Sequence, residues 1–123
     1  SMLKELYLKG KIEVKSKSSK RPFLHIKDAV EAIILVIKSR KEKVAGEIFN
    51  VGSDDQNYSI EEIAKKIMEV TNENGNLIIH DQKDENSFTM DCSKIKKILA
   101  FQIKHDLKYG IDEIMVKLKQ NKN

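Results

Sequence analysis

Between Ala29 and Ile37 the chain reads AVEAIILVI, and Glu31 is the one polar residue in that run. A surface helix needs a single apolar stripe, whereas a helix that is greasy on nearly every side has to be covered on most of them. The start is marked at Asp28. Its carboxylate can accept from the free N–H groups of a first turn, and Glu31 lies at capping-box spacing from it. Upstream stand Lys20, Arg21 and Pro22. Proline blocks helix there and favours an extended Arg21 before it, so FLHI (23–26) is expected to continue a strand into the helix.

The flanking pieces are shorter. LKELYLK (3–9) reads as a helix stopped by Gly10, and KIEV (11–14) as a strand. KSKSSK (15–20) has turn composition and is expected to be a mobile loop. SRKEKVAG (39–46) reads as a polar loop and EIFNV (47–51) as a strand ended by Gly52. Ser59 and Glu62 form a second capping box, behind which Ile60, Ile63, Ala64, Ile67 and Met68 recur at helical spacing. LIIH (77–80) is a strand and 81–87 a loop. Asp91 or Ser93 is expected to cap a short helix carrying Ile95, Ile98 and Leu99. Asp106 caps a last one bearing Leu107, Ile111, Ile114, Met115 and Leu118. The predicted class is α/β (mixed α+β), with short strands and four to five helices. They form one domain over 3–123, and Ser1–Met2 read as a remnant of tag removal. A chain of 123 residues has room for one core.

Charge and cysteine content narrow the functional classes. Lysine and arginine number 23 against 19 acidic residues, a net charge of +4. That is too modest by itself to argue for nucleic acid. The single cysteine, Cys92, excludes an internal disulfide and suits a reducing, cytoplasmic setting. The longest apolar run, AIILVI (32–37), is far short of the roughly 20 residues that span a bilayer, so no membrane partner is expected. His80, His105 and Cys92 share no ligand spacing, and no metal site is predicted. His25, among apolar neighbours, reads as a structural histidine. Closeness to a helix start could lower the Cys92 pKa, but nothing else marks it as a nucleophile.

RPFLHIKDAVEAI, GEIFNVGS, YSIEEIAKKI, SFTMDCSKIKKIL and LKYGIDEI follow one another in an order that resembles the C-terminal part of NAD-dependent epimerase/dehydratase proteins. These are the extended short-chain dehydrogenase/reductases that act on nucleotide sugars. The resemblance spans roughly residues 3–119. It implies the substrate-binding part of such an enzyme, without its N-terminal Rossmann half and not catalytically competent alone. NAD or NADP is implied for the parent enzyme. None is expected on this chain, because its five glycines, Gly10, Gly46, Gly52, Gly75 and Gly110, form no dinucleotide fingerprint. Tyr7 and Lys11 match the family's Tyr-x-x-x-Lys spacing, but they straddle Gly10 and precede the other motifs, so no catalytic residue is assigned.

Three substrate-binding residues follow from the resemblance. Arg21 takes the place of the arginine that reaches the diphosphate, and a planar guanidinium suits phosphate oxygens. Asp84, in DENSF (84–88), takes the place of the aspartate that accepts from the ribose hydroxyls. Family members carry a second arginine where this chain has Asn86 or Asp81, and Lys83 is the candidate replacement, as a point charge. The implied partners are a nucleotide sugar, the missing Rossmann half and, with the greasy helix uncovered, a second copy of the chain. The alternatives are a small basic nucleic-acid-binding domain, using KSKSSKR as a phosphate-contacting loop, or a stand-alone interaction domain.

Overall fold

The computed structural model describes residues 1–121. Helix α1 (Met2–Lys9) leads into β1 (Lys11–Val14), β2 (Lys20–Pro22), α2 (Ile26–Lys38) and the one-turn α3 (Lys41–Val44). A 3-10 turn at Asp54–Gln56 precedes β3 (Asn57–Ser59), α4 (Ile60–Thr71), β4 (Asn76–Ile79), α5 (Ser93–Leu99) and α6 (Leu107–Gln120). The expected mixed class holds, with six helices and two small two-stranded sheets among the described residues.

The main core forms where β1 and β4 lie parallel, with Ile12 opposite Leu77 and Val14 opposite Ile79. Gly10 makes this possible. At φ 65 it ends α1 in the left-handed region, its N–H reaches the Leu6 carbonyl, and the chain turns straight into β1. Ile12 and Val14 are buried beneath Leu3 and Leu6 of α1, Ala64 and Ile67 of α4, and Leu107, Ile111 and Met115 of α6. Met2, set aside as a tag remnant on sequence grounds, packs against this cluster, as does Tyr7. The Ser59–Glu62 capping box and the Asp106 cap are both formed, which satisfies the first-turn donors of α4 and α6. A second, smaller cluster joins Ala32 of α2 to Ile95 and Phe101, with Phe49 and Val51 against it.

Several expectations fail for identifiable reasons. FLHI does not continue the strand: β2 ends at Pro22, and His25 is the N-cap of α2, its ring accepting from the Lys27 N–H. Asp28 is therefore not the cap but lies inside the first turn, 1% exposed. Its carboxylate accepts from the backbone N–H groups of Lys104 and His105 and from His105 Nδ1, at 3.0, 3.0 and 2.9 Å. Burial pushes this carboxyl up, but those three donors outweigh it and hold the group below the usual carboxylate range. EIFNV forms no ladder, because no described strand lies alongside it. The N-cap of α5 is Cys92, with the Asp91 carboxylate accepting from the Ser93 N–H. The segment 15–20 is tied down by hydrogen bonds from Lys17 N–H to the His80 carbonyl and from Ser19 N–H to the Ser16 carbonyl.

The cover of α2 follows the resemblance, which leaves the greasy helix exposed, rather than its composition, which asks for cover on most sides. Of the greasy run only Ala32 is buried, while Ile33 is 60% and Ile37 76% exposed, with Ile26, Val30 and Ile34 along the same face. Ile48 is 83% exposed. Asp28→Ala should therefore cost about 3 kcal/mol in urea denaturation, since it strands three donors. Ile33→Ala, measured on the dilute monomer, should change stability by no more than about 0.5 kcal/mol. Equal losses from the two would mean that the outer face of α2 is buried in solution.

Candidate functional site

Arg21 is the middle residue of β2, opposite Tyr58 of β3. Successive side chains of a strand point to opposite faces, so Arg21 leaves on the other side from Lys20 and Pro22. Pro22 sits at the strand end, where its missing N–H costs no ladder bond. The next donor, Phe23 N–H, reaches the Gln56 carbonyl.

That direction brings the guanidinium onto the loop 84–88. Nη2 donates to Asp84 Oδ2 at 2.8 Å. Nη1 meets three acceptors: Ser19 Oγ at 2.8 Å, the Lys20 carbonyl at 2.8 Å and the Asn86 carbonyl at 2.6 Å. Two N–H bonds serve three oxygens, so at least one is shared, and a stronger acceptor could displace it. The Phe88 ring lies 5.8 Å from the guanidinium carbon, within cation–π range. Asp84 is equally engaged. Ser19 Oγ donates to its Oδ2 at 2.6 Å and the Asn86 N–H to its Oδ1 at 2.9 Å, an Asx turn. The Ser19 hydroxyl, the Asn86 N–H and Arg21 together hold the Asp84 carboxyl down to about 2.

Arg21 and Asp84, 63 residues apart, thus meet directly, and both side chains keep partial exposure. Lys83 lines the adjoining open depression of about 320 Å³ together with Ser18, Ser19, Asp81, Gln82, Asp84 and Ser87. Asp81, standing where a second arginine would be, faces Lys17 at 3.5 Å. The depression therefore holds a mixed set of charges and hydroxyls rather than a purely cationic one. Ser19 was not singled out on sequence, because within KSKSSK it looks like any turn serine. Its partner is 65 residues away.

The other candidates fall elsewhere. His25 faces Glu113 at 3.3 Å, His80 faces Glu13 at 3.0 Å and His105 faces Asp28. Among the described residues no three His, Cys, Asp or Glu side chains are grouped to hold a metal. Cys92 goes against the expectation of a lowered pKa: burial, with Asp54 and Asp91 beside it, pushes the thiol up. A nicotinamide dinucleotide needs a Gly-rich strand–helix turn for its pyrophosphate. Here the strand–helix connections among the described residues, β2 to α2 through 23–25 and β3 directly to α4, carry no glycine.

A family model described as NAD dependent epimerase/dehydratase family matches residues 1–52. UDP-D-apiose/UDP-D-xylose synthase 2 of Arabidopsis thaliana is 40% identical over 52 residues, covering 42% of this chain and 13% of that protein. UDP-N-acetyl-alpha-D-glucosaminuronate decarboxylase of Bacillus cytotoxicus is 31% identical over 101 residues, covering 76% and 30%. UDP-glucose 4-epimerase of Thermotoga maritima, solved with UDP-glucose, superposes with a TM-score of 0.79 at 18% identity, covering 98% of this chain and 39% of its own. At that identity the likeness speaks for the fold alone. The chain spans between 13% and 30% of the length of these two curated relatives.

The acid behaviour of the pair gives a direct check. A carboxyl held near 2 when folded, against an ordinary value of 3.8, stabilises the fold fully above about pH 4. The contribution is lost as the pH falls through about 2. Carboxyl-detected NMR should show Asp84 still ionised at pH 3, when ordinary aspartates are mostly protonated. A midpoint near 3.8 would mean that the pair does not persist in solution.

Proposed function

We propose that this chain, a relative of the NAD-dependent epimerase/dehydratase family, is the part that holds the nucleotide end of a nucleotide sugar. On this reading the cofactor and the chemistry lie on a second portion packed against it. The observation that carries the proposal is the meeting of Arg21 with Asp84, whose carboxylate lines, with Lys83, an adjoining open depression.

Each residue has work that its chemistry suits. The Arg21 guanidinium can present N–H bonds to a phosphate oxygen in exchange for a shared carbonyl. Asp84, ionised at any physiological pH, can accept from vicinal ribose hydroxyls. Lys83 adds charge without a fixed fork, so it strengthens the field at the diphosphate more than it orients it. With Asp81 beside Lys17, the site has one guanidinium where relatives of the resembled pattern have two, and the affinity expected of the isolated chain is low. The pocket is open on one side, and half a cleft closes poorly around a ligand.

The exposed face supports the need for a second portion. Ile26, Val30, Ile33, Ile34 and Ile37, with Ile48 and the unpaired segment 47–51, form more uncovered apolar surface than a solvated helix normally shows. A cofactor-bearing half would cover this face, and in its absence a second copy of the chain is the expected occupant. A basic nucleic-acid surface is less well supported, because Lys17 and Arg21 of the basic segment are paired with Asp81 and Asp84. Among the described residues no helix is long and apolar enough to cross a membrane.

Two measurements test this reading. Millimolar UDP-glucose should shift the amide resonances of 19–21 and 83–88 in fast exchange, and Arg21→Ala should abolish those shifts. Shifts confined to other residues, or tight binding with NAD-dependent turnover by this chain alone, would overturn it. In light scattering the chain should associate as its concentration rises, and Ile33→Glu with Ile37→Glu should return it to a monomer. A wild-type monomer across a wide concentration range would remove the case for an exposed docking face.

A further inference from the structure

Ser19 is 3% exposed, and its hydroxyl lies between the two charged groups of the site. It donates to Asp84 Oδ2 at 2.6 Å and accepts from Arg21 Nη1 at 2.8 Å. A hydroxyl has one donor and two acceptor positions, so these two contacts use it in both senses. The backbone of Ser19 is pinned on both sides. Its N–H reaches the Ser16 carbonyl, and its own carbonyl accepts from Ile60 N–H, the first residue of α4. That helix start is in turn held by the Ser59–Glu62 capping box and by its packing on the main core.

The loop that carries Asp84 is tied on either side, by Gln82 N–H to the Lys15 carbonyl and by Phe88 N–H to the Lys20 carbonyl, and what fixes the Asp84 side chain between them comes from residues 19–21. Between 84 and 88, its hydrogen bonds to the rest of the chain all run to residues 19–21: Asp84 to Ser19 and Arg21, the Asn86 carbonyl to Arg21, Ser87 Oγ to Lys20 N–H and Phe88 N–H to the Lys20 carbonyl. Of the groups in this set, the Ser19 side chain is the one that is both buried and fixed to the core. Arg21 is long and has alternative acceptors, so the ion pair by itself fixes the carboxylate less closely than the buried hydroxyl does.

We propose that Ser19 is the positioning residue of the site: its buried hydroxyl transmits the rigidity of the α4 start to Asp84 and Arg21 and sets the spacing at which the pair meets a nucleotide. The proposal rests on the nucleotide-binding reading for its ligand, but not for its geometry. Removing the hydroxyl leaves Arg21 and Asp84 in the chain yet takes away the shared bridge. Asp84 then keeps Arg21 and the Asn86 N–H, and Arg21 keeps Asp84 and two carbonyls, with no contact left to the buried Ser19 side chain.

The test uses the full chain as wild type, Ser19→Ala, Ser19→Thr and the remote control Ser39→Ala, whose hydroxyl donates to the Leu35 carbonyl at the end of α2, with UDP as the probe. Ser19→Ala should move the Asp84 midpoint up from about 2 toward the ordinary carboxylate range and weaken UDP about tenfold by NMR titration. Ser19→Thr, which keeps the hydroxyl, should restore both, and Ser39→Ala should change neither. A general loss of stability would lower the urea midpoint without moving the Asp84 midpoint, so the two readouts separate support from mere packing. An unchanged Asp84 midpoint in folded Ser19→Ala overturns the proposal, as does unchanged UDP affinity when the wild type binds. If the wild type binds no UDP, the nucleotide reading fails, and the Asp84 midpoint alone decides whether Ser19 holds the pair.

Discussion

A carboxylate with no route to water organises how the parts of this chain meet. Asp28 sits in the first turn of α2, and its oxygens are satisfied by Lys104 and His105, just before α6 begins. An ionised group in such a place must be fully hydrogen-bonded or the fold does not tolerate it. Its position is therefore fixed by donors that belong to the opposite end of the chain. Because Asp28 is held there, the cap of α2 falls to His25, and Lys27 is left to face Tyr109 and Glu113 of α6. The helix is moored by its beginning. Along its length the chief apolar attachment is Ala32, in the small cluster with Ile95 and Phe101.

That mooring separates two surfaces with different tasks. One side of the segment before α2 carries β2, from which Arg21 reaches the 84–88 loop. The outer face of α2 turns a row of isoleucines and a valine outward. Charged and hydroxyl groups are gathered and mutually satisfied on the first surface, which suits a polar ligand that exchanges one hydrogen bond for another. The second surface satisfies nothing. The same short stretch of sequence thus links the Arg21–Asp84 pair to the uncovered apolar face of α2.

Helices α1, α4 and α6 were legible because their signals are local. Gly10 can end α1 in the left-handed region, Ser59 and Glu62 cap each other across one turn, and Asp106 meets the Tyr109 N–H three residues on. Arg21 and Asp84 were legible only through the order of motifs around them. Ser19 was not, since a serine in a lysine–serine run carries no mark of its partner. The strand expected at 47–51 failed for the complementary reason: its composition suits a strand, but a ladder requires a neighbour.

By itself the sequence determined those features whose partners lie within a turn or so of the residue concerned: three helix boundaries, the extended Arg21 before Pro22, and the apolar run after Asp28. Only the tertiary structure decided which groups closed the long loops. Asp28 left its cap role for donors 76 and 77 residues away, and Asp84 joined Ser19 and Arg21 across more than 60 residues. The reason is that backbone capping acts through geometry set by neighbouring residues. The partner of a buried or half-buried charge depends instead on where distant segments come to rest, and nothing in the residue's own neighbourhood encodes that.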